Sequence, residues 1–211
     1  MVSRYFSVQN KKAALLLRLQ SADGTNRLTR ECVLSLTEEL RRLASEKRAV
    51  ILAGSDRFFS VGAELEEISA LNGPTAYEFS KMGQELMEAI DRFPAPVYAA
   101  IAGYCVGGGL DLALACRHRI ASPSAVFGHQ GAALGLITGW GGTQRLPRLV
   151  GRGRALEMFI TAEKVTAAKA LQVGLVDAVA DDPVAEALRR IGDRAGRTMP
   201  EAGHPAQVTS G

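Results

Sequence analysis

From Val97 to Cys116 (VYAAIAGYCVGGGLDLALAC) the chain is almost unbroken apolar sequence, and this stretch restricts the fold more than any other. About 20 apolar residues suffice to cross a bilayer. Here Gly107-Gly108-Gly109 and Asp111 fall in the middle, where a spanning helix would hold a charge at considerable cost. The stretch therefore reads as a buried strand over Val97 to Ala102, a glycine turn, and a buried helix over Asp111 to Cys116. A strand that turns into a helix through glycine leaves the first helical amides unpaired and pointing outward. Those amides favour an oxyanion or a phosphate.

The same alternation extends in both directions. Ala13 to Leu19 and Arg48 to Gly54 (RAVILAG) are short, branched apolar runs bounded by turn-forming or charged residues, and both predict buried strands. Between them Val33, Leu36, Leu40 and Leu43 recur at helical spacing, with Glu38, Glu39, Arg41 and Arg42 on the other face. Pro74 opens another helix, with Phe79, Met82, Leu86, Ile90 and Phe93 on its apolar face, and Pro94-Ala95-Pro96 ends it. A strand near Arg119 to Ala121, a helix from Thr166 to Gly174, a strand over Leu175 to Val179 and a helix opened by Asp182-Pro183 complete the pattern. Strands alternating with crossover helices predict an α/β layered fold.

With 211 residues, 47% hydrophobic and 22% charged, the chain can bury one core, which excludes a disordered protein. The net charge of +3 comes without a basic stripe, which argues against nucleic acid as a partner. Cys32, Cys105 and Cys116 are odd in number, far apart and in apolar company, so they read as buried thiols and not as a disulfide framework or a zinc site. The amino terminus has no apolar core of a secretion signal, and the expectation is a cytoplasmic protein with no membrane span. After Arg197 periodicity is lost. Residues 1–197 are expected to form the folded unit and 198–211 a disordered tail.

Two glycine-containing loops follow strands: FFSVGAEL, Phe58 to Leu65, and GYCVGGGLD, Gly103 to Asp111. Neither is a Walker A loop or a clean G-x-G-x-x-G fingerprint. Taken with Phe127 to Gly151 (FGHQGAALGLITGWGGTQRLPRLVG) and Leu171 to Val179 (LQVGLVDAV), their order resembles the enoyl-CoA hydratase/isomerase, or crotonase, superfamily over roughly residues 10–195. The resemblance implies a spiral of repeated β-β-α units and a site for an acyl-CoA thioester, the substrate, with no permanently bound cofactor and no metal. It also implies a place in fatty acid metabolism and a homotrimer or hexamer. Set against that pattern, the helical region at the carboxyl end is shortened.

Carried onto this chain, the resemblance makes the amides of Ala63 and Gly108 the donors that polarise the thioester carbonyl. Val61, Gly62, Ala63, Leu65, Gly107 and Gly108 become the main-chain cradle for coenzyme A. Amides fixed in this way stabilise an enolate or tetrahedral oxygen without reorganising. The resemblance assigns acid/base work to Asp111, an aspartate where the family commonly has glutamate. The second acid of the family's hydratases falls at Gly131, and the alternative position used by some relatives falls at Gly139; neither has a side chain. Hydration needs both a base for water and an acid for the α carbon. One carboxylate suits double-bond isomerisation better. Decarboxylation or thioester hydrolysis is the alternative reaction, and a non-catalytic CoA-binding or assembly subunit the alternative role.

Asp111 also has a plain reading as a first-turn residue favoured by the helix dipole. His129 reads as a structural hydrogen-bonder, and Glu64, Glu66 and Glu67 as a solvated face. Trp140 reads as core or pocket wall, and Gln144 and Arg145 as ties for the following helix.

Overall fold

The computed structural model describes residues 3–196. The expected tail, 198–211, lies outside them. A hairpin of β1 (Phe6–Asn10) and β2 (Ala14–Leu19) opens the chain and leads through β3 (Arg27–Leu28) to α1 (Arg30–Leu43). Next come β4 (Ala49–Ala53), β5 (Phe58–Ser60), β6 (Gly62–Ala63), α2 (Leu65–Ser69) and α3 (Gly73–Asp91). The central unit is β7 (Val97–Ile101), β8 (Tyr104–Val106) and α4 (Gly108–Ala115). It is followed by β9 (His118–Ala121), β10 (Val126–Gly128), a 3-10 turn over Gln130–Leu134, α5 (Gly142–Val150) and α6 (Arg152–Thr161). Last are β11 (Val165–Thr166), α7 (Ala167–Gln172), β12 (Ala178–Val179) and α8 (Pro183–Gly196).

Three successive repeats, opening with β4-β5, β7-β8 and β9-β10, each give one strand to each of two sheets before a helix. The six-stranded sheet runs β1-β2-β4-β7-β9-β12 and the four-stranded sheet β11-β10-β8-β5, with β3 and β6 paired separately. From β2 to β12 the larger sheet is parallel. This is the expected spiral of β-β-α units.

Parallel strands are covered on both faces, which is why β4 and β7 are apolar at every position. Their side chains alternate between two cores. Leu15, Leu17, Val50, Leu52, Val97 and Ala99 join the large core, whereas Leu16, Ile51, Tyr98 and Ala100 join a smaller one against Val184, Leu188 and Ile191 of α8. The predicted face of α1 is buried, as is that of α3 except for Phe93, which lies past the end of the helix and is partly buried, and Cys32, Cys105 and Cys116 are buried and free. Among the described residues no helix is long and apolar enough to cross a membrane.

Several boundaries differ from the sequence reading, three of them with a visible physical cause. The helix after the glycine run begins at Gly108, not Asp111, so the glycines form its first turn. α3 begins one residue before Pro74, set by a capping box in which Asn72 and Thr75 exchange side-chain hydrogen bonds of 3.1 and 2.8 Å. Of the strand expected over Leu175 to Val179, only Ala178–Val179 pairs with β9; the Leu175 and Val176 amides instead close the end of α7 on the Ala170 carbonyl.

Candidate active site

The two glycine loops meet where β6 abuts the start of α4. Gly62 has φ +89°, and a methyl group there would lie 2.7 Å from the Gly108 nitrogen and 2.9 Å from the Val106 oxygen. Only glycine meets both the conformation and the approach. On the other side, a methyl on Gly108 would stand 3.3 Å from the Ala63 nitrogen. Gly107 joins the pair by donating its amide to the Gly128 carbonyl at 2.9 Å, with Val61 alongside. Gly108 lies in the first turn of α4, where an amide finds no carbonyl within its own helix. Val61, Gly62, Ala63, Gly107 and Gly108 are thus brought together. Leu65 follows at the start of α2, more than half exposed.

Trp140 packs against this junction. It is buried, its indole N–H donates to the Phe79 carbonyl at 3.2 Å, and its ring lies over Gly83 of α3 and Gly108 of α4.

One turn beyond Gly108, Asp111 is 2% exposed. Its Oδ2 accepts a hydrogen bond from the Thr138 hydroxyl and not from the amides of its own helix, so it does not cap α4 by a hydrogen bond. Its Oδ1 has no hydrogen-bond partner and faces His129 Nε2, also without one, at 3.5 Å. Burial pushes the carboxyl up from 3.8 to about 7, against the lowering effects of the Thr138 bond and the Arg145 charge. Burial also pushes the imidazole of His129 down from 6.5 to about 4. A methyl group on Gly142, at the start of α5, would fall 2.2 Å from Asp111 Oδ1 and 3.0 Å from His129 Nε2.

The remaining candidates have separate places. Glu67 accepts from the Arg30 amide at 2.9 Å and caps α1, and Glu64 lies 3.5 Å from Arg27. Arg145 reaches the Trp140 carbonyl, just ahead of its own helix, at 3.5 Å, while Gln144 is exposed. A methyl group on Gly131 would meet the Leu136 carbonyl at 2.7 Å, because the Leu136 amide closes a turn on the Gly131 oxygen at 2.8 Å. On Gly139 it would meet only the Ser80 hydroxyl, at 2.8 Å. Thr138 and Gly142 were not singled out by sequence reasoning. Their one signal is position, since both sit in the segment between β10 and α5 that carries the family's glycines.

The family model for enoyl-CoA hydratase/isomerase matches residues 9–203. The chain belongs to the enoyl-CoA hydratase/isomerase family. A relative from Bacillus subtilis described as a probable enoyl-CoA hydratase is 46% identical over 136 residues, 64% of this chain and 53% of its own length. Crotonyl-CoA hydratase of Syntrophomonas wolfei is 34% identical over 175 residues, 82% of this chain and 67% of that protein. The chain therefore spans about half the length of the first relative and two thirds of the second. The crystal structure of enoyl-CoA hydratase from Bacillus anthracis superposes with a TM-score of 0.86 at 34% identity, covering 92% of this chain and 77% of that one. Within this family, the chain brings two glycine loops together and places one buried carboxyl beside them.

Proposed function

We propose that the chain binds an acyl-CoA thioester and moves a proton along its acyl chain, an enoyl-CoA isomerase more than a hydratase. The observation that carries this reading is the one buried carboxyl beside the glycine loops, Asp111, one turn from Gly108, whose Oδ1 accepts no hydrogen bond. In this reading the Ala63 and Gly108 amides hold the thioester oxygen. Asp111 as carboxylate removes a proton from the α carbon, and the C–H electron pair is delocalised onto that oxygen. The proton returns at the γ carbon and the double bond shifts. The raised proton affinity of Asp111 supports this use, because a base that titrates near neutrality both accepts and returns a proton readily. Apolar Leu65, Leu136 and Ile137 stand exposed nearby in sequence and suit an acyl or pantetheine chain.

Hydration would need a second acid, and the space for a side chain at Gly131 is taken by the Leu136 carbonyl. The test offers the protein a 3-enoyl-CoA and crotonyl-CoA. Conjugated enoyl thioester should appear from the first by its ultraviolet absorbance, with no gain of water by the second in mass spectra. Faster hydration of crotonyl-CoA than isomerisation of the 3-enoyl substrate would overturn the reading.

A further inference from the structure

We propose that Asp111 and His129 hold one proton between them, with His129 the positioning residue that keeps Asp111 ready as the base of the site. Its catalytic use rests on the isomerase reading above; the shared proton itself does not.

Asp111 Oδ1 and His129 Nε2 are both buried, both without a hydrogen-bond partner, and 3.5 Å apart. Buried polar atoms are almost always paired, so two orphans facing each other call for a common explanation. One proton satisfies both: a carboxylic acid O–H donating to the neutral ring, or an imidazolium N–H donating to the carboxylate. The surroundings enforce the pairing. Thr138 occupies Oδ2 and leaves Oδ1 toward the ring. Phe159 of α6 packs on the imidazole, ring centres 5.1 Å apart. Gly142 lacks a side chain where Oδ1 and Nε2 stand. The other ionisable groups acting here are Arg145 of α5, whose charge favours the carboxylate, and the Cys105 thiol of β8, which stays protonated by burial. The pair titrates as a unit, so its proton belongs to neither residue alone.

In turnover the pair starts without that proton, as it stands once the pH has risen through about 7: the carboxylate takes the α proton, and the new O–H turns to Nε2 as the shared proton. The same proton then returns to the γ carbon, and no further reactant is consumed. His129 thus stabilises the protonated form of the base without touching the substrate.

The test uses the intact chain, ring-¹⁵N-labelled at histidine and free of ligand. There are three histidines, and His129→Leu identifies the signal of interest. The wild-type His129 Nε2 resonance should move in one step near pH 7, as the pair gives up its proton, and that step should vanish in Asp111→Asn. A His129 titration unchanged by Asp111→Asn overturns the proposal. With an acyl-CoA that is turned over, His129→Leu should lower kcat roughly tenfold and leave KM in place. Absence of turnover in the wild type would sink the isomerase reading, while the resonance still decides the shared proton.

Discussion

Separating Asp111 from His129 should expose two opposite pH dependences of stability that cancel in the wild type. In the unfolded chain between about pH 4 and 6.5 the aspartate is ionised and the histidine protonated, so the two groups carry one proton. Folding moves that proton without changing the count, because Asp111 is raised to about 7 and His129 lowered to about 4. Equal proton numbers in the two states mean no slope from this pair.

Removing either partner unmasks the other. In Asp111→Asn only His129 remains: its depressed affinity contributes stability that is present above 6.5 and is lost as the pH falls through about 4. Each tenfold step in proton affinity corresponds to about 1.4 kcal/mol, so the loss across that window approaches about 3 kcal/mol. In His129→Leu only Asp111 remains, and the sign reverses. Its raised affinity favours folding below 3.8, and that contribution disappears as the pH rises through about 7. The same conversion gives a loss of about 4 kcal/mol. Both shifts arise first from burial, which either substitution leaves in place, so losing the shared proton trims these figures without reversing their signs. Urea titrations at half-unit steps from pH 4 to 7.5, each variant referred to the wild type, cancel the contributions of all other groups. Variants that run parallel to the wild type would refute the argument, and so would a His129→Leu protein that gains stability with pH.

Four further outcomes are open to measurement. Asp111→Asn should lower turnover by about 10²-fold or more, the usual worth of a general acid/base, with acyl-CoA binding by calorimetry retained. Thr138→Val removes the hydrogen bond that lowers the Asp111 affinity, so the rising limb of the pH–rate profile should move to higher pH. Gly83→Ala puts a methyl group 2.2 Å from the indole of the chain's single tryptophan; unfolding should show a loss of about 1–3 kcal/mol, and the fluorescence of Trp140 should change. Gly131→Glu should destabilise by a similar amount, about 1–3 kcal/mol, and gain no hydratase activity, because its Cβ meets a backbone carbonyl.

The strands and helices most visible in the sequence were those with enough length to show a period. Val97–Ile101 and Ala49–Ala53 are continuous apolar runs, and α1 and α3 carry whole apolar faces. The second sheet was not legible in that way. Its strands β5, β8, β10 and β11 have two or three residues each, too few for any alternation to register. They are defined by pairing with partners far along the chain, such as Phe127 beside Cys105 and Val165.

The site divides along the same line. The loops at Val61–Ala63 and Gly107–Gly108 stood out as glycine turns because a positive φ and a close approach have to be met by the residue itself, but only the family resemblance gave them a role. The surroundings of Asp111 are a demand of three segments at once. Asp111 comes from α4, His129 follows β10, and Thr138 precedes α5, and nothing in the spacing of these residues says that they converge. Gly142 links the two kinds of information. In the sequence it is half of a glycine pair at the start of a helix, where glycine is an accepted capping residue. In the fold its φ is not positive, and what excludes a side chain is Asp111 Oδ1, the Thr138 methyl and His129 Nε2 occupying the volume. A glycine that is dispensable to its own backbone is therefore a mark of something packed against it. Here that something includes a carboxyl and an imidazole with no other partner for the two facing atoms, which makes Gly142→Ala the least invasive way to push the pair apart.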